Sequence, residues 1–509
     1  MFAKVRSLGL FGLNAFSVDV EIDTSKGTPQ FDIVGLGDVV VKESRERIRS
    51  AMKAAGMEFP LAKIIVNLAP ANTKKSGSVH DLAIFMAMLC VMGAINADIS
   101  KSAFIGELSL NGDVRPVNGV LPMVLLARKE GFESVFVPAD NAYEASVVDG
   151  IAVYAVENTG QLIKHFERES VILPQSKYII KSEERFDTVD FAEVKGQYAA
   201  KKALEYAAAG GHNVLMIGSP GSGKSMLAKR ITTILPEMTF DESVETTNVH
   251  SVSGLVDKDS PLVTKRPFRS PHHTISAAGL AGGGNIPRPG EISLAHNGVL
   301  FLDELPEFNR PTLEILRQPL EEQKVTISRA SGTVTYPCSF MLIAAMNPCP
   351  CGYFGHPTRE CICGEKKQSA YISKISGPLL DRFDIHVEVP PVEFEHISSA
   401  EKEESSAEIR KRVQAAREIQ LKRFKGTGIS CNAAITPDIL PEVCKMTDKA
   451  TKTLKNVFEK MGLSARAYDR ILKVARTIAD MNGSEIIDKP HIAQAVQFRS
   501  LDRKYWSGR

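Results

Sequence analysis

The sequence predicts an α/β protein built in three blocks: a mixed first block, a central parallel α/β block and a helical last one. Three observations predict this. A Gly-rich phosphate-loop pattern at 218–225 stands between an apolar strand and a helix. Short apolar strands alternate with helices from there to about residue 392, as βαβ units require. Beyond that point strand signals stop and amphipathic helices take over. With 509 residues the chain is also too long for one compact domain, and at about 150 residues each, three are expected.

In the first block, residues 1–166, strands are expected from the alternation at 16–22 and the apolar run at 63–68, and a helix at 81–93. Charged residues and a proline then crowd 167–186, which reads as a linker. The central block, 187–392, carries apolar strands at 213–217, 299–302 and 340–346. Between the last two, residues 322–337 alternate apolar and polar around a Ser-Gly turn, as a hairpin does. The last block, 393–509, holds a charged helix over 398–425. An amphipathic one follows over 462–481, with Leu463, Ala467, Ile471, Val474, Ala475 and Ile478 on one face.

Lys and Arg number 62 against 60 Asp and Glu, so no global basic excess announces a nucleic-acid partner, and any such contact must come from local patches. Residues 1–20 hold only short apolar runs broken by Lys4, Arg6 and Asp19. The longest apolar stretch, 82–95, falls short of the roughly 18 residues of a membrane span. A cytoplasmic protein with no membrane partner is expected.

Gly218, Ser219, Pro220, Gly221, Ser222, Gly223, Lys224 and Ser225 fit G-x-x-x-x-G-K-[ST] without a mismatch. Glycines let backbone N–H groups close around phosphate oxygens, Lys224 reaches the β and γ phosphates of ATP, and the Ser225 hydroxyl reaches Mg²⁺. The strand at 299–302 ends in Asp303, placed to hold the Mg²⁺ water shell, and Glu304, placed to polarise the attacking water. Asn347 ends the next strand, where an amide can orient that water. Arg382, in Leu379-Leu-Asp-Arg-Phe-Asp384, suits transition-state charge on a neighbouring subunit's nucleotide. Arg466 and Arg470 lie one turn apart on the amphipathic helix, and Arg466 is expected to reach back over the γ-phosphate as a lid arginine.

Four of the eight cysteines, Cys349, Cys351, Cys361 and Cys363, fall within fifteen positions. Two close C-x-C pairs suit a closed tetrahedral Zn²⁺ site, with His356 as an alternative ligand; free thiols and iron–sulfur or redox chemistry are the other readings. Lys265, Arg266, Arg269, His272 and His273 precede a Gly-rich stretch at 278–285, and a second basic run covers 410–423. Backbone N–H groups with Arg and Lys suit phosphate contact without base readout. A metal site at His272 and His273 is not expected, because neighbours on a strand point to opposite faces.

Phosphate loop, acidic strand end, Asn strand end, Arg382 and helical block together resemble an AAA+ ATPase module. Arg266-Pro-Phe-Arg-Ser-Pro-His-His273, Arg288-Pro-Gly-Glu-Ile-Ser-Leu-Ala-His-Asn-Gly298, Ala344-Ala-Met-Asn-Pro-Cys-Pro-Cys-Gly352 and Gly462-Leu-Ser-Ala-Arg466 resemble the YifB/ComM family of magnesium-chelatase-like AAA+ ATPases over the whole chain. Gly106-Glu-Leu-Ser-Leu-Asn-Gly-Asp-Val-Arg-Pro116 and the run Gly131 to Pro138 resemble the Lon protease domain, which uses a Ser–Lys dyad. Here the nucleophile segment reads Ser76-Gly-Ser78-Val-His-Asp81 and Leu121 stands where the Lys belongs, so an inactive Lon-like domain is expected. The resemblance implies a hexameric ATP-hydrolysing ring that acts on branched or single-stranded DNA, with branch migration or helicase activity on recombination intermediates, as in uptake of incoming DNA. In such relatives, Gly-rich and hairpin insertions line a central pore. A chelatase-like protein-remodelling ATPase is the alternative, and an ATP-dependent protease a weaker one.

Overall fold

The computed structural model describes residues 1–179, 189–285, 287–330, 332–392, 403–499 and 501–506. The end of the expected linker and the first turn of the helix expected over 398–425 therefore lie outside the described residues.

The first block is a seven-stranded mixed sheet. A tight hairpin, Phe2–Phe11 with Asn14–Ser25, forms its centre. Outward from Asn14–Ser25 come Lys63–Ala69, antiparallel, and then Gln30–Val34; on the other side Ser102–Phe104, Ser134–Pro138 and Ala152–Val156 add in parallel. Val18, Val20, Ile22, Ile64, Val66 and Leu68 alternate inward and are fully buried, as a half-covered sheet requires. They pack on the helix Asp81–Val91, which is buried on all sides except at Cys90.

In the central block five parallel strands stand in the order Phe268–Arg269, Val299–Leu302, Met341–Met346, Val214–Ile217 and Ile385–Glu388. The three middle strands are apolar throughout and fully or nearly fully buried, because helices cover both faces of a parallel sheet. Two small hairpins rise from this block: Gly282–Gly283 with Arg288–Pro289, and Lys324–Arg329 with Gly332–Pro337.

The last block contains the helices Ser406–Arg423, Asp448–Met461, Ala465–Met481 and Lys489–Gln497. Ser405 and Glu408 close a capping box on the first, which fixes its start where the sequence alone placed a longer helix. Ile471, Val474, Ala475 and Ile478 face inward as their spacing predicts, and burying each of the Ile and Val side chains stabilises by roughly 1.5–3 kcal/mol. They join one continuous core with Ala203, Ala207, Val214, Ile343 and Ile385 of the central block. The helical block is thus packed onto the flank of the sheet.

The first block docks on the central one at two places. Phe11 and Leu13 at the tip of the long hairpin join the core beneath the Lys324–Pro337 hairpin. The Gly119 N–H donates to the Ser251 carbonyl (3.1 Å), and the Ser251 hydroxyl donates to the buried Glu144 carboxylate at the end of the helix Phe240–Val252.

Candidate nucleotide site and cysteine cluster

Parallel strands place all their C-terminal ends on one side, and that is where the phosphate loop forms. Gly221 and Gly223 carry φ of +78° and +95°, a backbone that side chains oppose, so the loop can curl its N–H groups inward before the helix Lys224–Ile234. The loop is fastened at both ends. The Gly218 N–H donates to the Met346 carbonyl (3.2 Å), and the Gln197 amide donates to the carbonyls of Ser222 (3.1 Å) and Pro390 (2.6 Å). Sequence reasoning missed Gln197; it sits in an irregular entry to a helix at φ +57°, where no periodicity signals a role.

Lys224 is almost wholly buried and donates to the Gly218 and Ser219 carbonyls (2.8 and 2.9 Å) and to Asn347 Oδ1 (3.3 Å). Burial pulls its pKa down, while Asp303 and Glu304 hold it up. The Ser225 hydroxyl donates to Asp303 Oδ2 at 2.6 Å, which brings together the two oxygens expected to share Mg²⁺. Glu304 follows at φ +52°, with its own N–H on Asp303 Oδ1 (2.9 Å); its exposed carboxylate points toward His273, with Nδ1 3.4 Å away. Phosphate loop, Asp303, Glu304 and Asn347 therefore converge at one sheet edge. These residues fit ATP and Mg²⁺: buried cation, paired hydroxyl and carboxylate, and a carboxylate open to water.

The two predicted arginines stand at the opposite edge. Arg382 precedes the strand Ile385–Glu388, so it lies at the N-terminal ends of the strands, where it pairs with Glu321. Arg466 is 3.8 Å from Asp381, and Arg470 is 3.5 Å from Asp384 in the same region. Arg466 in the role of a lid over its own chain's γ-phosphate is thus corrected: the helix carrying it packs at the wrong end of the sheet. Arg382, Arg466, Arg470 and Lys473 instead line one cleft of about 660 Å³. Burial, and then the charges of Arg470, Arg466 and Arg317, press the Arg382 pKa down.

Both expected basic patches are also corrected. Arg266 is enclosed and donates to the Pro236, Asn297 and Glu237 carbonyls and to Glu242. Arg269 makes a two-pronged pair with Glu291 (2.6 and 2.8 Å). In the second run Arg412 pairs with Glu205 and Glu404, Arg417 donates to the Ala208 and Ala209 carbonyls, and Arg423 pairs with Asp480. These arginines hold the fold together, and only Lys265, Lys411 and Lys422 of the two runs are exposed lysines. Exposed cations stand on the hairpins: Arg288 on one, Lys324 and Arg329 on the other. His272 and His273 lie in a loop, not on a strand, with their ring centroids 4.1 Å apart and the rings tilted by 34°.

Among the described residues one group of thiols, Cys349, Cys351, Cys361 and Cys363, has metal-binding geometry, with all four Sγ atoms within 4.8 Å of one another. Closest approaches are 3.4 Å between Cys349 and Cys351 and 3.6 Å from each to Cys361. No disulfide is formed. His356 is occupied elsewhere, its Nδ1 accepting from the N–H groups of Thr358 and Arg359 (3.2 and 3.1 Å).

The Lon-type dyad is absent from the first block. Leu121 is fully buried, and the Ser78 hydroxyl donates to Glu107. No helix of the described residues is long and apolar enough to cross a membrane.

Fold and site define a P-loop ATPase of the AAA+ type. Its first block is similar over 170 residues to the Lon protease of Clostridium beijerinckii (28% identical; 31% of this chain, 21% of that protein). The sequence matches "Magnesium chelatase, subunit ChlI" over residues 190–397, "Subunit ChlI of Mg-chelatase" over 20–141 and "Magnesium chelatase, subunit ChlI C-terminal" over 403–499. Nearly the whole chain is similar to competence protein ComM of Haemophilus influenzae (41% identical over 509 residues; 98% of both chains). Similarity to YifB of Escherichia coli K12 is comparable (40% over 510 residues; 98% of this chain, 97% of that one). The chain belongs to this magnesium-chelatase-like ComM/YifB family of AAA+ ATPases.

Proposed function

We propose that this ATPase is a DNA motor: a ring, hexameric by analogy with its class, that couples ATP hydrolysis to movement on branched or single-stranded DNA. Remodelling of recombination intermediates, by branch migration, is the activity it would perform. The observation that carries this reading is the pair of hairpins. They pack on each other, with Gly282 against Ile327 and the Arg329 guanidinium near Gly283, and leave Arg288, Arg329 and, at the far end of its strand, Lys324 exposed. Cations beside a glycine backbone suit a phosphate backbone without base readout. The rows Thr326–Thr335 and Ser328–Thr333 add hydroxyls to the exposed face that carries Lys324.

In this reading Lys224 and Ser225 hold phosphate and Mg²⁺, Asp303 fixes the metal's water shell, Glu304 takes the proton of the attacking water, and Asn347 orients it. Arg382 and Arg466 act on the nucleotide of a neighbouring subunit, because they stand across the sheet from their own. A Cys₄ zinc site completes the set of groups.

The test is ATP-driven movement of a four-way junction by wild type, Lys224→Ala, Glu304→Gln and Arg288→Ala/Arg329→Ala. Both ATP-site variants should lose movement. The arginine pair should keep nucleotide binding and reduce the salt slope of DNA binding by about 2. A wild type that hydrolyses ATP yet neither binds nor moves the junction would refute the DNA reading. The chelatase-like protein-remodelling role, which the family also contains, would then stand.

A further inference from the structure

The cysteine loop is built against the phosphate loop. It begins two residues after Asn347, whose side chain accepts from Lys224, and its Gly352 lies so close to Pro220 that a Cβ there would sit 2.4 Å from the proline Cδ. Gly352 has φ +84°, so both its conformation and its clearance exclude a side chain. Cys349, which starts the loop, is fully buried. The turn after it is closed by the Gly352 N–H on the Cys349 carbonyl (3.0 Å).

One of the thiols is arranged as an acceptor. Cys361 Sγ takes the backbone N–H of Cys363 at 3.4 Å and the Gln368 amide at 3.3 Å. A neutral thiol gains little from several donors, whereas a metal-bound thiolate needs them to spread its charge. Spacing fits as well. Four sulfurs at about 2.3 Å from a tetrahedral Zn²⁺ lie about 3.8 Å apart, close to the separations found here. A pocket of this size holds one ion and has no space for a sulfide-bridged cluster.

We infer that Cys349, Cys351, Cys361 and Cys363 bind a single Zn²⁺ that braces the phosphate loop through the Gly352–Pro220 contact, so that zinc occupancy sets the affinity for nucleotide. The ion closes the ring from Cys349 to Cys363, which otherwise has little apolar packing; Ile362 is 88% exposed and holds nothing in place. With the ring open, Gly352 no longer backs Pro220, and the loop loses the wall that keeps its N–H groups converged. The zinc is structural and takes no part in the reaction. This inference rests on the reading of 218–225 as the nucleotide site.

The experiment uses the full chain without DNA. Metal content is measured on purified protein, and binding of a fluorescent, non-hydrolysed ATP analogue is compared among wild type, Cys351→Ser, Cys361→Ser/Cys363→Ser, Gly352→Ala and Lys224→Ala. Zinc near one per chain is expected in wild type and below a tenth of that in the double cysteine variant. Nucleotide affinity should fall about tenfold when zinc is removed by thiol-reactive reagent and chelator, and should return when Zn²⁺ is added back. Gly352→Ala should keep its zinc and still bind nucleotide several-fold more weakly, separating the contact from any loss of folding; circular dichroism checks that each variant is folded. Wild type lacking zinc, holding iron instead, or holding zinc whose removal leaves nucleotide affinity within twofold would each overturn the inference. Should Lys224→Ala bind nucleotide as wild type does, the fault lies with the nucleotide-site reading and not with the brace.

Discussion

Mixing two dead variants should restore activity if the arginines act across a subunit boundary. Lys224→Ala removes the cation that reaches the phosphates; Arg382→Ala leaves the chain's own phosphate loop intact. Register fixes the distance between them: Ile385 pairs with Val214, Glu388 with Ile217, and the Val389 carbonyl lies against Gly218. The Asn213 side-chain amide donates to the Arg382 carbonyl (2.9 Å), and from Asn213 to Gly218 the strand runs roughly 16 Å at about 3.3 Å per residue. An arginine side chain spans less than half of that, and this one points away, toward Glu321. Reaching its own γ-phosphate is therefore excluded by geometry, while a head-to-tail ring would bring it to the next subunit's. Arg382→Ala alone should lower kcat by about 10³ or more while retaining ATP binding. In an equal mixture, about a quarter of the boundaries join an intact Lys224 to an intact Arg382, so ATPase should recover to about a quarter of wild type. Steady-state ATPase on rings checked for mixing by native mass spectrometry measures this. Mixed rings that form but remain at background, or an Arg382→Ala protein with wild-type kcat, would refute the reasoning.

Arg476 is fully buried and donates to Asp480 (3.1 Å), the Glu485 carbonyl (2.6 Å) and the Ser484 carbonyl, so Arg476→Ala strands several acceptors. It should destabilise by about 3–5 kcal/mol, read as a lower Tm in calorimetry. His80 is buried with its Nδ1 2.9 Å from the Ser7 hydroxyl; burial, reinforced by the charge of Lys75, lowers its pKa from 6.5 to about 3. A base whose folded pKa is depressed stabilises above its unfolded pKa, and that stability is lost as pH falls from 6.5 toward 3. Denaturant midpoints followed over this range should drop in wild type and drop less in His80→Gln. Phe11 lies against the hairpin turn at Gly332, and the Gly12 backbone against Val334. Phe11→Ala should therefore weaken DNA stimulation of ATP hydrolysis several-fold and leave the DNA-free rate within twofold, as measured by titrating junction DNA into the ATPase assay.

The nucleotide site was legible because it is local. Glycines, Lys224 and Ser225 are consecutive, and Asp303, Glu304 and Asn347 each end an apolar run; a parallel sheet must bring such ends together. The thiols were legible for the same reason. What sequence could not show is which end of the sheet a distant helix meets. The spacing in Ala465–Met481 correctly named the buried face, yet periodicity carries no information on where along the sheet that face lands, so Arg466 was assigned to the wrong edge. The basic runs misled for a related reason. Arg266, Arg412 and Arg423 look solvated when read in order, but their partners Glu242, Glu205 and Asp480 lie 24, 207 and 57 positions away.

These long-range pairs bear on how the first block acts without a Ser–Lys dyad. Its Glu144 grips Ser251 at one end of the helix Phe240–Val252, and Glu242 near the other end grips Arg266, which in turn holds the Asn297 carbonyl just before the strand ending in Asp303. Its hairpin tip, meanwhile, sits under Val325, Ile327 and Val334 of the exposed hairpin. The block is thus tied both to the helix behind the acidic strand and to the hairpin. Neither tie uses a side chain of the dyad positions: Phe11, Gly119 and Glu144 lie outside Ser76–Asp81, and Glu144 meets Leu121 through the Leu121 backbone N–H (2.9 Å). If the hairpin bears a load, the contacts of Phe11 at one end and of Gly119 and Glu144 at the other would give it a route through this block toward Asp303 and Glu304.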